Sequence, residues 1–259
     1  MKLDVLLSAM YLNNADIVDN LNITGNVIVI NQCDEENDHT HIDGERQIRF
    51  ISTRQRGLSK SRNMAIESSD ADICILCDND VKYHKDYEKT IISAFERNKD
   101  ADICVFFIKR PERTEPVKEQ EGNLGYLMAM KIFSPEIAFK KSSIKGLRFN
   151  EKFGAGAEYG MGEENIFLWQ AKRAGLRVKY IPVEIAKTIP NESTWFKGYN
   201  DTFFRNRGAG YYEMTHCLWW VLALQFAVRK YKLYKADNTI FNACRHMYRG
   251  MKEYKKSNL

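Results

Sequence analysis

The chain has 259 residues, of which 44% are hydrophobic, 28% charged and 12% aromatic, with only 5 Pro and 15 Gly. This composition excludes disordered, collagen-like and low-complexity proteins, and a domain of this length can bury a large core. The formal net charge is +5, but residues 229–259 hold nine basic and two acidic residues. The basic C-terminus is predicted to meet an anionic surface, while the nearly neutral remainder argues against a protein that coats nucleic acid.

The first 110 residues alternate strand-like and helix-like segments, which is typical of an open α/β sheet. The segment 71–80 is almost entirely apolar until it ends in acidic residues, so it is predicted to be a central parallel strand. In chain order the predicted elements are strand 3–10, helix 13–22, strand 26–32, strand 47–53, helix 59–68, strand 71–80, helix 86–98 and strand 101–110.

The second half of the chain has fewer clear strands. Residues 111–123 are charged and contain proline, which indicates a surface loop or lid, and four glycines between 149 and 162 precede a predicted helix over 163–174. Because no long linker or repeat is present, we predict one domain. Its first half is predicted to be 1–110 and its second half 111–210, and a basic, aromatic helical extension follows over 211–259.

The longest apolar run, 217–228, is too short to cross a bilayer, which takes about 20 residues. Arg229, Lys230 and Lys232 follow it directly. Two interpretations remain open for this segment. It could lie in a lipid interface as an amphipathic helix, or it could pack on the domain.

Several chemistries lack their sequence signatures. There is no G-x-G-x-x-G after the first strand, no Walker loop and no G-x-S-x-G. His39 and His41 lie in a polar, acidic segment that we interpret as a solvated loop. Cys74 and Cys77 are spaced as in half a metal site, but in an extended segment they point to opposite faces, so they are predicted to be buried. Scattered reduced thiols, and a first strand with no leader before it, indicate a cytosolic protein.

The strongest chemical signal is Asp78-Asn79-Asp80 at the end of the fourth predicted strand. In a parallel sheet, ligands bind at the carboxyl ends of strands. Two carboxylates there can turn toward one Mg²⁺ or Mn²⁺ ion, which keeps free positions for the phosphates of a substrate. An acidic strand end alone is usually a solvated turn, so the neighbouring motifs decide between these interpretations.

Two further stretches support a nucleotide-binding enzyme. Residues 55–66 place a glycine turn before a helix whose first residues include Ser59, Ser61 and Arg62, groups that suit a phosphate. Residues 160–175 place glycines before a helix that begins with Glu163 and Glu164. Adjacent like charges raise the pKa of one another, which favours a general base.

Together these stretches resemble the inverting glycosyltransferases of family 2, which have a GT-A fold. The resemblance extends from residue 3 to about residue 208. It rests on a G-L-S-x-x-R-N element at 57–63, the D-x-D at 78–80 and a G-E-E element at 162–164, which occur in the order of that family. It implies a mostly parallel central sheet flanked by helices, with further C-terminal helices. It also implies that 1–110 is the nucleotide-sugar-binding half of the domain and that 111–210 is its acceptor-binding and catalytic-base half.

The resemblance also implies a nucleotide site. Asp34, after the second strand, matches the acid that contacts the base, usually uracil. Ser8 to Met10 border it at the end of the first strand. Arg62 matches the basic residue beside the nucleotide, and Asp78 would face the ribose and the metal.

The same resemblance implies the catalytic groups. Asp80, with Asp78, would bind the Mn²⁺ or Mg²⁺ that bridges the diphosphate. Glu164 matches the catalytic base, and Glu163 would face the acceptor or the donor sugar. Relatives often supply a further metal ligand, a histidine, but residues 185–200 contain none; an asparagine at 191, a glutamate at 192 or water is left to substitute.

Four further residues are candidates for substrate contacts. The aromatic faces of Trp195 and Tyr199 suit the apolar face of a sugar ring, although core packing explains them equally well. Arg205 and Arg207 could contact a phosphate of the donor or of a lipid-linked acceptor, although exposed arginines are ordinarily just solvated.

The resulting prediction is a metal-dependent inverting hexosyltransferase that uses a UDP-sugar donor and a glycan or lipid-linked acceptor, in the synthesis of a surface polysaccharide or its lipid-linked precursor. It is expected to be cytoplasmic, with peripheral contact to the inner face of the plasma membrane through its C-terminus. Two alternatives remain: a nucleotidyltransferase that acts on a sugar phosphate, and a non-catalytic protein that binds membrane or nucleic acid.

Overall fold

The computed structural model describes residues 1–189 and 198–258. Within these residues a ten-stranded sheet is flanked by helices. The strands are β1 Leu3–Met10, β2 Asn26–Gln32, β3 Asn37–Asp43, β4 Arg46–Thr53, β5 Ile73–Asp78, β6 Val81–Tyr83, β7 Ile103–Lys109, β8 Gly122–Asn123, β9 Ile137–Lys140 and β10 Val178–Thr188. The helices are α1 Ile17–Asn20, α2 Leu58–Ser68, α3 Tyr87–Arg97, α4 Tyr126–Ala129, α5 Glu163–Arg173, α6 Asp201–Thr215, α7 Trp219–Arg229, α8 Tyr231–Tyr234 and α9 Ile240–Lys256.

The sheet has the order β3-β4-β2-β1-β5-β9-β7-β10-β6, and β8 pairs with β10. Strands β4, β2, β1 and β5 are parallel neighbours, and β7 is parallel to β10. Strand β9 lies antiparallel between β5 and β7. The predicted α/β sheet is confirmed, and its parallel arrangement puts the carboxyl ends of β1, β2 and β5 at one edge. Ligand binding at these strand ends stays a prediction.

Both faces of the sheet are buried. Along β1, Val5 and Leu7 belong to one apolar cluster, whereas Leu6 belongs to the cluster on the other face. Cys77 and Cys74 divide between the same two clusters. Both thiols are free and buried, as predicted from their spacing in a strand. This double burial explains why these strands are almost continuously apolar in sequence.

A third apolar cluster lies in the C-terminal helices, where α6 packs against α9. Two glycines make the approach close. A Cβ atom on Gly208 would lie 1.9 Å from the backbone oxygen of Met247, and one on Gly250 would lie 1.9 Å from that of Arg205. Since α6 begins at Asp201, the boundary predicted between residues 210 and 211 falls inside a helix, and the helical unit begins earlier than predicted.

Two local predictions are wrong. His39 and His41 lie in β3, an antiparallel edge strand, and not in a loop. All residues of β3 are exposed, so the strand lacks the apolar alternation by which a strand is recognised. Of the helix predicted over 13–22, only the four residues of α1 are helical.

The apolar run 217–228 lies mostly in α7, which packs on the domain through one face; its contact with a lipid interface stays a prediction. Leu222, Ala223 and Ala227 are buried against the neighbouring helices, whereas Trp220 and Leu224 are half exposed. The helix therefore packs on the domain and also presents an apolar outer face. None of the helices within the described ranges has the length and apolar character that crossing a bilayer requires.

Candidate active site

The site is built around the end of β5. The strand ends at Asp78, which pairs in register with Ser8 of β1. The hydroxyl of Ser61, in the first turn of α2, donates a hydrogen bond of 2.8 Å to that of Ser8. A side chain at the end of β5 is therefore held beside the end of β1 and the start of α2, and the side chain of Asp78 keeps 21% of its surface exposed.

Arg62 joins two of the predicted acidic residues. Its Nη2 donates to Asp78 at 3.0 Å and its Nη1 donates to Glu163 at 2.8 Å, while only 1% of its side chain is exposed. Burial disfavours the charged guanidinium, but the neighbouring carboxylates outweigh burial and raise the pKa of Arg62. Sequence analysis predicted this arginine beside a nucleotide. The structure shows that its cation holds two carboxylates in place, and contact with a nucleotide stays a prediction.

Asp80 is the carboxylate of this site that has a buried oxygen without a hydrogen-bond partner. Its Oδ1 is buried and has no hydrogen-bond partner. Burial, together with the charge of Asp78, raises the pKa of Asp80 to about 6. An orphaned carboxylate oxygen beside a second carboxylate fits a hard divalent cation, which prefers oxygen ligands. Within residues 1–189 and 198–258 no cluster of three or more acidic, histidine or cysteine side chains completes such a site, so phosphate and water oxygens would fill the remaining positions.

The two glutamates begin α5 directly after Gly162, whose φ of 87° lies in the left-handed region that glycine favours. Glu163 is buried and accepts a hydrogen bond from Arg62. Burial and the adjacent charge of Glu163 raise the pKa of Glu164 well above the usual range of a carboxyl group. The two carboxyl groups are thus distinguished: Glu163 is ion-paired, and Glu164 is the stronger base.

The glycine-rich segment before α5 covers the start of α2. Ser59 donates to the backbone oxygen of Phe153 at 2.7 Å. A Cβ on Gly154, whose φ is 102°, would lie 3.2 Å from both Glu163 and Ser59. The start of α2 was predicted to suit a phosphate, but Ser59 and Ser61 are buried and bonded within the protein. Their hydroxyl groups therefore join neighbouring segments of the site to α2.

Two of the residues predicted around the base, Asp34 and Met10, are exposed at the same edge of the sheet, whereas Ser8 is buried. The side chain of Asp34 is 81% exposed and pairs with Arg56 at 2.5 Å. Arg56 also lies over the ring of Tyr11, 5.5 Å from its centre. Met10 is half exposed. Sequence analysis missed Arg56 and Tyr11, although Tyr11 directly follows the strand end that borders the predicted base site.

A large cavity of about 1320 Å³ opens at these strand ends. Asp78 and Asp80 line its wall, whereas Glu163 and Glu164 do not. Glu163 is connected to Asp78 in the wall through Arg62. The cavity extends from the strand ends to the C-terminal helices. The helical side of its lining comprises Tyr199, Phe203, Arg207, Tyr211, Gln225, Phe226, Arg229, Lys230 and Leu233.

The remaining residues that were predicted to contact the substrate lie in different parts of the structure. Tyr199 lies in the cavity wall and contacts Phe203 at a ring distance of 5.0 Å. Arg207 lies in the same wall, but Arg205 pairs with Glu253 and with a second glutamate. The residues at 190–197, among them the predicted Trp195 and the possible metal ligands at 191 and 192, lie outside the described residues.

Comparison with known proteins agrees with this architecture. The family model described as "Glycosyl transferase family 2" matches residues 21–153. Residues 1–349 of S. aureus TarS, in complex with UDP-GlcNAc, superpose with a TM-score of 0.64 at 14% identity, over 99% of this chain and 92% of that one. The mannosyltransferase PcManGT from Pyrobaculum calidifontis, in complex with GDP-Man and Mn²⁺, gives a TM-score of 0.53 at 12% identity, over 99% and 75%. No curated protein matches the chain in sequence.

Proposed function

This chain belongs to glycosyl transferase family 2, and from that premise we propose that it transfers the sugar of a UDP-sugar to an acceptor hydroxyl, with inversion at the anomeric carbon. The observation that carries the proposal is the bridge of Arg62, which holds Asp78 at the cavity wall and Glu163 beside Glu164. Family membership favours sugar transfer over the nucleotidyltransferase and the non-catalytic binding protein that sequence analysis left open.

The proposed mechanism assigns the base to Glu164. Its raised pKa gives it a high proton affinity, and Glu163 is occupied by Arg62. Glu164 takes the proton of the acceptor hydroxyl, and the oxygen forms a bond to the anomeric carbon. The bond from that carbon to the diphosphate breaks on the opposite side, and its electron pair leaves with UDP. In-line displacement of this kind inverts the configuration.

Asp78 and Asp80 are the residues that would hold a divalent cation. The orphaned Oδ1 of Asp80 is the strongest sign that they fit one. When bound, the cation neutralises charge on the departing diphosphate. The nucleotide is supported by the solved relatives: TarS was crystallised with UDP and with UDP-GlcNAc, and PcManGT with GDP-Man and Mn²⁺.

We further propose that the enzyme works at the inner face of the plasma membrane, in the synthesis of a surface polysaccharide or a lipid-linked glycan. The support is α7, whose outward Trp220, Leu224 and Val228 are half exposed, together with the surplus of basic residues after it. An apolar face flanked by cations suits an anionic lipid surface.

Metal-dependent nucleotide binding tests the core of the proposal. We expect UDP to raise the melting temperature of the wild type when Mn²⁺ is present but not in EDTA. Asp80→Asn should abolish this rise and the hydrolysis of UDP-sugars. The matched control Asp86→Asn, an exposed residue at the start of α3, should keep both. Equal stabilisation by UDP in EDTA, or undiminished hydrolysis in Asp80→Asn, would remove the metal role.

A further inference from the structure

The two ends of the cavity differ in charge. Away from the helical end, the lining mixes the carboxylates of Asp78, Asp80 and Glu112 with the cations of Arg110 and Lys131. At the helical end, Arg207, Arg229 and Lys230 contribute cations, and no acidic residue lines the α6–α8 part of the wall. Charge of this kind on one side of a cleft attracts an anion to that side.

All three cations line the helical end of the cavity. The guanidinium of Arg207 lies over the ring of Phe226, 4.3 Å from its centre, and Arg229 and Lys230 follow Phe226 by about one helical turn. No carboxylate of the described residues forms an ion pair with any of the three cations, and the Nε of Arg207 is buried without a partner. The helix dipole gives the C-terminal end of α7 about half a negative charge. The three cations together carry more positive charge than this.

The same end is strongly apolar. The rings of Phe203 and Phe226 line it, and Leu233 of α8 lies at its rim with 55% of its surface exposed. Leu224 and Val228, one turn apart on α7, continue this exposed apolar surface outside the cavity. A ligand that places a negative group on the cations can therefore run an attached apolar chain out along these helices.

The cavity is large enough for two substrates. A cleft for one ligand typically holds about 300–1,000 Å³, and this one holds about 1320 Å³. If the donor diphosphate lies at Asp78 and Asp80, as the proposed function requires, the helical end remains for the acceptor.

We propose that the helical end of the cavity binds an acceptor whose sugar is joined through a phosphate to an apolar chain, with the phosphate on Arg207, Arg229 and Lys230. This inference rests on the proposed function, because it assigns the acceptor half of the same cavity. It narrows the acceptor from any glycan to a phosphate-linked amphiphile.

The test is direct binding of farnesyl phosphate below its micelle concentration, measured by titration calorimetry without nucleotide. Inorganic phosphate and farnesol are the two comparison ligands, since each keeps only half of the chemistry. We expect both to bind at least tenfold more weakly than farnesyl phosphate. Equal binding of inorganic phosphate, equal binding of farnesol, or no binding of farnesyl phosphate would each overturn the inference.

Arginine variants locate the site. Arg207→Gln and, on a different helix, Arg229→Gln should each weaken binding of farnesyl phosphate about tenfold, which corresponds to about 1.4 kcal/mol. Arg245→Gln removes the same charge from an exposed position of α9 outside the cavity and should leave the affinity unchanged. Use of two helices keeps the test informative if one variant folds poorly. The same loss in Arg245→Gln would show non-specific attraction and contradict the inference.

Binding of UDP with Mn²⁺ is measured on the same variants. We expect Arg207→Gln to keep it, because the cations serve the acceptor. If Arg207→Gln loses UDP binding and keeps farnesyl phosphate, the cations serve the donor and the inference is wrong. If the wild type binds farnesyl phosphate but no UDP, the proposed function fails and the anion site remains, so the two failures are distinguishable.

Discussion

The close packing of α6 on α9 predicts how substitutions in this interface change the stability of the protein. Gly208 and Gly250 each face the backbone of the opposite helix, and a Cβ on either would lie 1.9 Å from a carbonyl oxygen. Backbone atoms cannot rotate away as a flexible side chain can. To restore an ordinary contact of about 3.5 Å, the two helices must separate by about 1.5 Å, which forfeits more than half of the dispersion energy along their interface.

We therefore expect Gly208→Ala and Gly250→Ala each to lower the free energy of unfolding by about 2–4 kcal/mol. Overpacking of this kind costs about 1–3 kcal/mol or more, and the helices also lose contacts when they separate. Alanine recovers about 1 kcal/mol through its higher helix propensity. For a chain of this size each kcal/mol lowers the melting temperature by about 2–4 °C. Urea unfolding followed by circular dichroism measures the change in free energy.

Gly210→Ala is the matched control because it lies on the same helix, two residues from Gly208. Its Cβ would lie 3.8 Å from the ring of Phe153, an ordinary contact. It should leave stability unchanged or raise it by about 1 kcal/mol. The double variant Gly208→Ala/Gly250→Ala should cost less than the sum of the single changes, since one separation relieves both clashes. Equal stabilities for Gly208→Ala, Gly250→Ala and Gly210→Ala would refute the close packing of these helices.

Three further predictions concern the charges of the site. Arg62→Met leaves the buried Glu163 and the partly exposed Asp78 without their cation and should cost about 3–5 kcal/mol of unfolding free energy, whereas Arg148→Met, which breaks a half-exposed ion pair, should cost less than about 1 kcal/mol in the same denaturation assay. Glu163→Gln removes a charge that raises the pKa of Glu164, so the rise of the transfer rate with pH should move about one pH unit lower; an unmoved profile would contradict Glu164 as the base. The folded-state pKa of Asp80, about 6 against 3.8, makes its charged form destabilising above pH 6 and harmless below pH 4, so Asp80→Asn should stabilise the metal-free protein at pH 7.5 and not at pH 4. The pKa difference corresponds to at most about 3 kcal/mol, which partial exposure to solvent reduces to about 1–2 kcal/mol; denaturant unfolding in EDTA at both pH values measures it.

The sequence predicted the strands that are buried on both faces. β1, β5 and β7 are nearly continuous apolar runs because helices cover both sides of them. It did not predict β3, whose exposed residues carry no apolar pattern, nor β6 and β8, which are three and two residues long. Local pattern identifies a strand only where burial imposes that pattern, so edge strands of this kind need the tertiary structure.

The features of the candidate site also divide into those that the sequence predicted and those that it did not. Asp78, Asp80 and the two glutamates were predicted because each belongs to a short motif of fixed spacing. The bridge through Arg62 was not, because Glu163 lies 101 residues away along the chain. In the helical wall of the cavity, sequence analysis named Tyr199 and Arg207 as substrate contacts, but the cavity that they share with residues of α7 depends on long-range packing. Motifs identify the chemical groups, and long-range packing decides which of them remain available to a substrate.

The balance of charge around Arg62 bears on how a diphosphate could bind. Arg62 faces Asp78 and Glu163 directly, and Asp80 and Glu164 lie within their electrostatic reach, so one guanidinium is set among four carboxyl groups. The pKa values of Asp80 and Glu164 are both raised, as expected where negative charge is in surplus and burial limits screening. A nucleotide diphosphate adds further negative charge at the same edge, where Arg62 already donates hydrogen bonds to Asp78 and Glu163. A divalent cation held by Asp78 and Asp80 would offset this repulsion, which is the reason we propose a metal-dependent reaction although Arg62 lies beside the site.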